Sequence, residues 1–217
     1  HRNKGSATAV NLGASLASES LSLSYTGAAA RSDNHEAGDG RVVKSTRYET
    51  RNHAVSFAAR GQDRLLVVNA GRQGIPEQAY PNAYMDMVAN DAVFGNVRYD
   101  ALYGWGRLEA RAFYERTRHE MGFLADKQPA EMPMNTDGRN LGFGLKADLA
   151  LSARDSLRLG TDFQRFRLDD WWPPVEGSAM MGPGTFENIN DGRRDRIGVF
   201  AEWEARWNSR WSGLLGA

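Results

Sequence analysis

An all-β, antiparallel fold is predicted by three features of this 217-residue sequence. Apolar and polar residues alternate with period two over long stretches, short polar turns alternate strictly with long connections, and charges occupy the polar face of nearly every alternating stretch. In an extended chain such alternation makes one apolar and one polar face, whereas a helix would scatter the same residues around its circumference.

In chain order, the first clear alternation is Ser20–Gly27, with Ser20, Ser22 and Ser24 against Leu21, Leu23 and Tyr25. In Gly106–Tyr114, Leu108, Ala110, Ala112 and Tyr114 oppose Arg107, Glu109, Arg111 and Phe113. The pattern is cleanest in Asn140–Leu151, where Leu141, Phe143, Leu145, Ala147, Leu149 and Leu151 share one face. Arg196–Trp207 repeats it with Ile197, Val199, Ala201, Trp203, Ala205 and Trp207. About ten strands follow from this count.

Short turns fall near Ala17–Ser20, Gly61–Asp63, Asp100–Gly104, Ala153–Asp155 and Asn208–Arg210; long segments fall near Arg31–Val43, Arg72–Tyr84, Gly122–Asp137 and Trp172–Asp191. If consecutive strands are antiparallel, all short turns lie at one end of the sheet and all long loops at the other, as in an outer-membrane barrel. A soluble sandwich or lipocalin-like barrel would instead bury its apolar face. Charges packed inside a small barrel would each cost several kcal/mol unless paired, whereas a wide, wet lumen tolerates them. The expected fold is therefore part of an antiparallel transmembrane β-barrel. Leu141, Leu145, Leu149, Ile197, Val199, Ala201 and Trp203 would face lipid, and Lys146, Asp148, Glu202, Glu204 and Arg206 the lumen.

Composition narrows the function. No apolar run approaches the ~18 residues of a helical span, and mean hydropathy is −0.57, which excludes transmembrane helices without excluding a barrel. Lys+Arg and Asp+Glu number 27 each, so no charge excess argues for a nucleic-acid partner. The absence of cysteine removes disulfides, thiolate metal sites and cysteine nucleophiles, and leaves the redox compartment open. His1 is not preceded by a leader pattern, and Trp211–Ala217 begins a strand without a partner, so the expectation is a mature form or a portion of a longer protein.

Residue types sort by loop and strand. All seven prolines (Pro76, Pro81, Pro129, Pro133, Pro173, Pro174, Pro183) fall in three of the long segments, where no ladder hydrogen bond is needed. Asp39-Gly40-Arg41, Asp137-Gly138-Arg139 and Asp191-Gly192-Arg193 read as one repeated strand-entry turn with positive φ at the Asp-Gly. Tyr99, Tyr103, Trp105, Trp207 and Trp211 flank short turns, and Trp171 and Trp172 stand at a long loop, as two interfacial aromatic girdles would.

The stretch Thr161-Asp-Phe-Gln-Arg-Phe-Arg-Leu-Asp-Asp-Trp-Trp-Pro-Pro-Val175, then Met181 to Arg196, then Val199-Phe-Ala-Glu-Trp-Glu-Ala-Arg-Trp207 resembles the barrel of TonB-dependent outer-membrane receptors. Met85-Asp-Met87 and Met132-Pro-Met134 are similar to elements of the copper-associated branch. The resemblance implies a barrel of about 22 strands, an N-terminal plug inside it, outer-membrane lipid around it, and energy delivered through a short motif bound by TonB. Neither plug nor motif is in this sequence, so residues 1–217 are expected to be one barrel segment. The implied function is uptake of a metal species across the bacterial outer membrane. A ferric siderophore receptor of the same fold, or a passive porin or structural barrel, is the alternative.

The loops hold the candidate chemistry. Met85, Met87, Met121, Met132, Met134, Met180 and Met181 lie in the long segments or at their margins, with His119 two residues before Met121. Thioether and imidazole donors suit Cu(I). Met85 with Met87 and Met132 with Met134 are the preferred donors, because Met-x-Met in an extended segment puts both sulfurs on one face about 7 Å apart; gap-filling in irregular loops is the other reading of these methionines. Asp86 and Asp91 would instead serve a harder cation. Copper would be a transported ligand, with no permanently bound cofactor expected. A siderophore site would use aromatic and Arg side chains, and Trp171, Trp172, Arg193 and Arg194 gather near one loop. No G-x-S-x-G, P-loop or H-E-x-x-H occurs, so no enzyme is expected.

Overall fold

The computed structural model describes residues 6–128, 131–178 and 184–217. They form ten strands: β1 (Ala7–Ala17), β2 (Leu21–Ser32), β3 (Tyr48–Arg60), β4 (Arg64–Gln78), β5 (Asp86–Tyr103), β6 (Gly106–Gly122), β7 (Met134–Ala150), β8 (Asp155–Trp172), β9 (Phe186–Arg206) and β10 (Ser212–Gly216). Each pairs antiparallel with its neighbours in the chain, giving one meandering sheet in the order β1 to β10. A 3₁₀ turn, Ala125–Lys127, lies between β6 and β7. The short turns collect at one end of the sheet and the four long connections at the other, as the alternation predicts.

Residues paired directly across antiparallel strands share a face, so the register assigns faces. Phe57, Val68, Val97, Ala112, Phe143, Phe163 and Ile197 form one continuous row from β3 to β9. Arg107, Asp148, Arg158 and Glu202 form a row on the opposite face. The apolar face is not covered by any second layer: Ile197 is 74% and Val199 77% exposed. Among the described residues the only buried apolar side chains are Ala79, Ala101 and Ala205, so there is no sandwich core. The apolar band runs for about seven to nine residues per strand, from Leu108 to Tyr114 on β6 and from Leu141 to Leu149 on β7, the length a tilted strand needs to cross a bilayer. β5 to β9 are longer than that and continue past the band toward the long loops.

The polar face neutralises itself by ion pairs along and between strands. Asp100 accepts from Arg107 at 2.6 Å and pairs with Arg98 at 2.6 Å; Arg111 meets Glu109 at 2.7 Å, Arg158 meets Asp148 at 2.8 Å, and Arg196 meets Asp162 at 2.9 Å. Lys146, Asp148, Glu202, Glu204 and Arg206 share this face by strand parity, and the seven residues expected to face lipid share the other. Aromatic rings on the polar face lie over glycines of the adjacent strand. A Cβ at Gly142 would stand 2.5 Å from the Phe113 ring and 2.8 Å from the Phe163 carbonyl oxygen, so only glycine fits.

Three expectations are corrected. The strands reach further into the long segments than predicted, because Arg72–Gln78, Met134–Asp137 and Phe186–Asp191 are paired. Pro76 therefore sits inside β4, at a point where both ladders skip it, which a residue without an N–H requires. Of the Asp-Gly-Arg tripeptides only the first makes the expected turn, with Gly40 at φ 84°. The second is regular strand within β7, and the third lies within β9, where Asp191 rather than the glycine takes positive φ (50°) beside irregular pairing with β8. Pro129 and Pro183 lie outside the described residues.

Candidate functional site

At the long-loop end, the 3₁₀ turn ties three loops together. The Asp86 carboxylate, fully buried at the start of β5, accepts from the Tyr80 amide at 2.8 Å, the Leu124 amide at 3.3 Å and Lys127 Nζ at 2.7 Å. Lys127 also donates to the carbonyls of Tyr80, Ala83 and Met85 at 2.7, 2.9 and 3.3 Å. One residue earlier, Asp126 accepts from the Ser45 amide at 2.9 Å and Asn34 Nδ2 at 2.8 Å, which joins the segment between β2 and β3. The Ser45 amide bond comes first and the Asn34 bond second in holding the Asp126 carboxyl below the usual carboxylate range. Ser45 takes φ 58°, a left-handed conformation that non-glycine residues rarely adopt without being held. Glu131 links the remaining loops: its side chain accepts from the Tyr84 hydroxyl, which raises the Tyr84 pKa, and its carbonyl accepts from Ser178 Oγ at 3.0 Å.

Beneath this lattice the register gathers methionines that are far apart in sequence. Met87 on β5 pairs with Met121 on β6, and Met121 pairs with Met134 on β7. Directly paired residues have Cβ atoms about 4.5–5.5 Å apart, so three thioethers stand in one row across three strands. A bulge between Met87 and Ala89 sets this pairing. His119 lies two residues along β6 on the same face, the polar one, opposite Asn90 and Thr136. His119 Nδ1 donates to Asn90 Oδ1 at 3.1 Å, which leaves the Nε2 lone pair as a donor. Beyond Thr136, the buried Asp170 accepts from Thr136 Oγ1 at 2.7 Å and Asn188 Nδ2 at 3.0 Å.

Met85 and Met132 are not in this row. They lie outside the strands, in the bend before β5 and the segment before β7, so neither has a strand partner in the row. Met180 and Met181 lie outside the described residues. The harder-cation set does not form: Asp86 is consumed by Lys127 and two amides, and Asp91 is paired with Arg72 on the apolar face. Among the described residues no group of three His, Cys, Asp or Glu is placed to hold a metal.

Trp171, Trp172, Arg193 and Arg194 are divided between faces. Arg193 pairs with Arg167 and Trp171 with Asn135 on the apolar side of the sheet, whereas Arg194 pairs with Phe166 on the polar side and lies 5.7 Å from its ring centroid. Trp172 packs on Phe186 with centroids 5.1 Å apart. Asn90, Asp170 and the Asp86–Lys127 pair carry no motif, and only strand register and loop geometry reveal them.

Comparison with known proteins places this sheet. The structure is similar to that of the copper transporter OprC, with 21% identity and a TM-score of 0.72 over 99% of this chain and 35% of that one. It is also similar to the ferric yersiniabactin uptake receptor FyuA from Yersinia pestis (10% identity, TM-score 0.61, 95% and 36% covered) and to the ferric enterobactin receptor PfeA from Pseudomonas aeruginosa (18%, 0.61, 99% and 36%). The chain thus spans about a third of the length of these structures. Curated protein sequences give no match. The family model described as TonB dependent receptor-like, beta-barrel, matches residues 23–217. The chain belongs to the TonB-dependent receptors, and its ten strands are barrel wall of an outer-membrane protein.

Proposed function

We propose that these residues form part of the wall and external loops of a TonB-dependent receptor that takes up copper, bound as Cu(I) by Met87, Met121, Met134 and His119. The observation that carries this reading is the Met87, Met121, Met134 row, three soft donors on adjacent strands, with the imidazole of His119 one step below on the same face. The lattice of Asp86, Asp126 and Lys127 holds the strand ends that present them. Likeness to a copper transporter supports the ligand. Transport is coupled to TonB, and no chemistry is performed on the cargo.

The row lies past the apolar band, toward the long loops, so the ion meets it before entering the lumen. Met85, Met132, Met180 and Met181 are supporting donors in this proposal. The test is accumulation of radioactive copper by copper-starved cells expressing the full-length receptor, with and without TonB. TonB-dependent copper accumulation is expected. Uptake of a ferric chelate but not copper would transfer the site to a siderophore, and an open conductance in planar bilayers would make the protein a porin.

A further inference from the structure

On the apolar face, arginines begin where the band ends. Arg116, Arg139, Arg167 and Arg193 are consecutive direct partners across β6, β7, β8 and β9, and they form a single cross-strand row. On β6, β7 and β9 each lies two to four residues beyond the last apolar residue of its face, Tyr114, Leu141 and Ile197. Arg118 and Arg165 flank the row on the same face. Like charges directly opposite each other destabilise a sheet, so such a row needs anions between its members.

The chain supplies only part of them. Asp137 takes Arg116 in a two-pronged pair, at 3.0 and 2.5 Å, and Asp195 takes Arg167 at 2.7 Å and Arg165 at 3.2 Å. Asp191 pairs with Arg193, and Asp169 accepts the Asp191 amide. That sets six guanidiniums against the four carboxylates just named; Asp91, the direct partner of Arg118, is taken by Arg72, and Glu120 stands two residues beyond Arg118 on the same face. Arg139 reaches Asp137 only at 3.4–3.5 Å and Arg118 only at 3.7 Å, and their side chains are 51% and 62% exposed. Each guanidinium has five N–H donors, most of them left free here.

We infer that this arginine row is a docking surface for phosphate groups of lipid headgroups in the outer leaflet. Position selects the partner: the row is on the lipid-facing side, just past the apolar band and toward the long external loops, which is the depth of headgroups. Chemistry agrees, because directly paired arginines have Cβ atoms about 5 Å apart, within reach of one shared phosphate, the guanidinium fork matches phosphate oxygens two at a time, and each phosphate that enters relieves repulsion between adjacent arginines. The short-turn end of this face carries Tyr99, Tyr103 and Trp203 rather than an arginine row, so the surface distinguishes the two leaflets.

The test uses the full-length receptor in dodecyl maltoside, titrated with bisphosphorylated lipid A and followed by native mass spectrometry. Replacing Arg116, Arg139 and Arg167 with Gln should weaken lipid A retention about a hundredfold, on the scale that each juxtamembrane arginine contributes. The Arg98→Gln, Arg111→Gln variant loses charge on the luminal face and should retain lipid A as the wild type does. If the triple variant does not fold, Arg139→Gln alone, the arginine held least by carboxylates, should lower retention several-fold. Retention unchanged in the folded triple variant, or in Arg139→Gln where the triple does not fold, would overturn the inference, as would equal binding of dephosphorylated lipid A.

Discussion

Lys127 Nζ and Asp86 Oδ1 lie 2.7 Å apart, joining the loop after β6 to the start of β5 around a carboxylate with no exposed surface. Removing the ammonium leaves that carboxylate buried with two amides only, a change that costs about 3–5 kcal/mol where such pairs are fully buried. Lys127→Met is therefore expected to open residues 79–85 and 123–128 while leaving the barrel intact. Hydrogen exchange of the full-length receptor reads this directly: loss of protection should be confined to those loops.

The Asp126 tie responds to pH in a defined direction. Its folded pKa is lowered, so its stabilising effect is complete above the ordinary aspartate range and is lost as pH falls through the lowered folded value. Protection of the Ser45 amide, corrected for intrinsic exchange, should hold through neutral and mildly acid conditions and fall only below about pH 4. The Asp126→Asn variant should show weaker protection with no such step.

Gly142 and Gly144 separate close approach from ordinary spacing on one strand. A Cβ at Gly142 meets the Phe113 ring at 2.5 Å and backbone at 2.8 Å, whereas one at Gly144 meets only the Thr161 carbonyl oxygen at 3.7 Å. Gly142→Val should reduce the yield of folded, heat-modifiable barrel, and Gly144→Ala should not.

The two faces differ in what they tolerate. Val199→Arg places a charge within the lipid-facing band, at a cost of ~2–4 kcal/mol near the midplane. Glu204→Arg, on the luminal face, should assemble normally. Comparable folding yields in a urea titration would contradict the assignment of faces.

Most of the architecture was legible because period two is written into residues such as Leu141 to Leu149 and Ile197 to Trp203, and because a one-residue slip would exchange the faces. The strand ends were not legible. Asp137-Gly138-Arg139 has turn composition, yet pairing with Arg116 to Arg118 on β6 and Arg167 to Asp169 on β8 holds it in the ladder. The candidate site was half legible: residue type singled out Met87, Met121, Met134 and His119, but their meeting depends on register across two long loops and on a bulge after Met87. Sequence proximity pointed to Met85 and Met132 as partners, whereas strand register sets Met121 beside Met87 and Met134. The same limit applies to Arg193 and Arg194, adjacent in sequence and on opposite faces.

The most direct test of the proposed copper site is Cu(I) affinity of the full-length receptor, measured by competition with a chromogenic chelator. Leucine keeps methionine volume and removes the donor atom. Replacing Met87, Met121 and Met134 together with leucine should weaken Cu(I) binding by about a thousandfold or more, as expected when a soft ion loses its thioethers. Replacing Met85 and Met132, supporting donors outside the row, should weaken it far less, by about tenfold at most. Unchanged affinity in the row variant, with the loss appearing instead in the Met85, Met132 variant or in neither, would contradict the account.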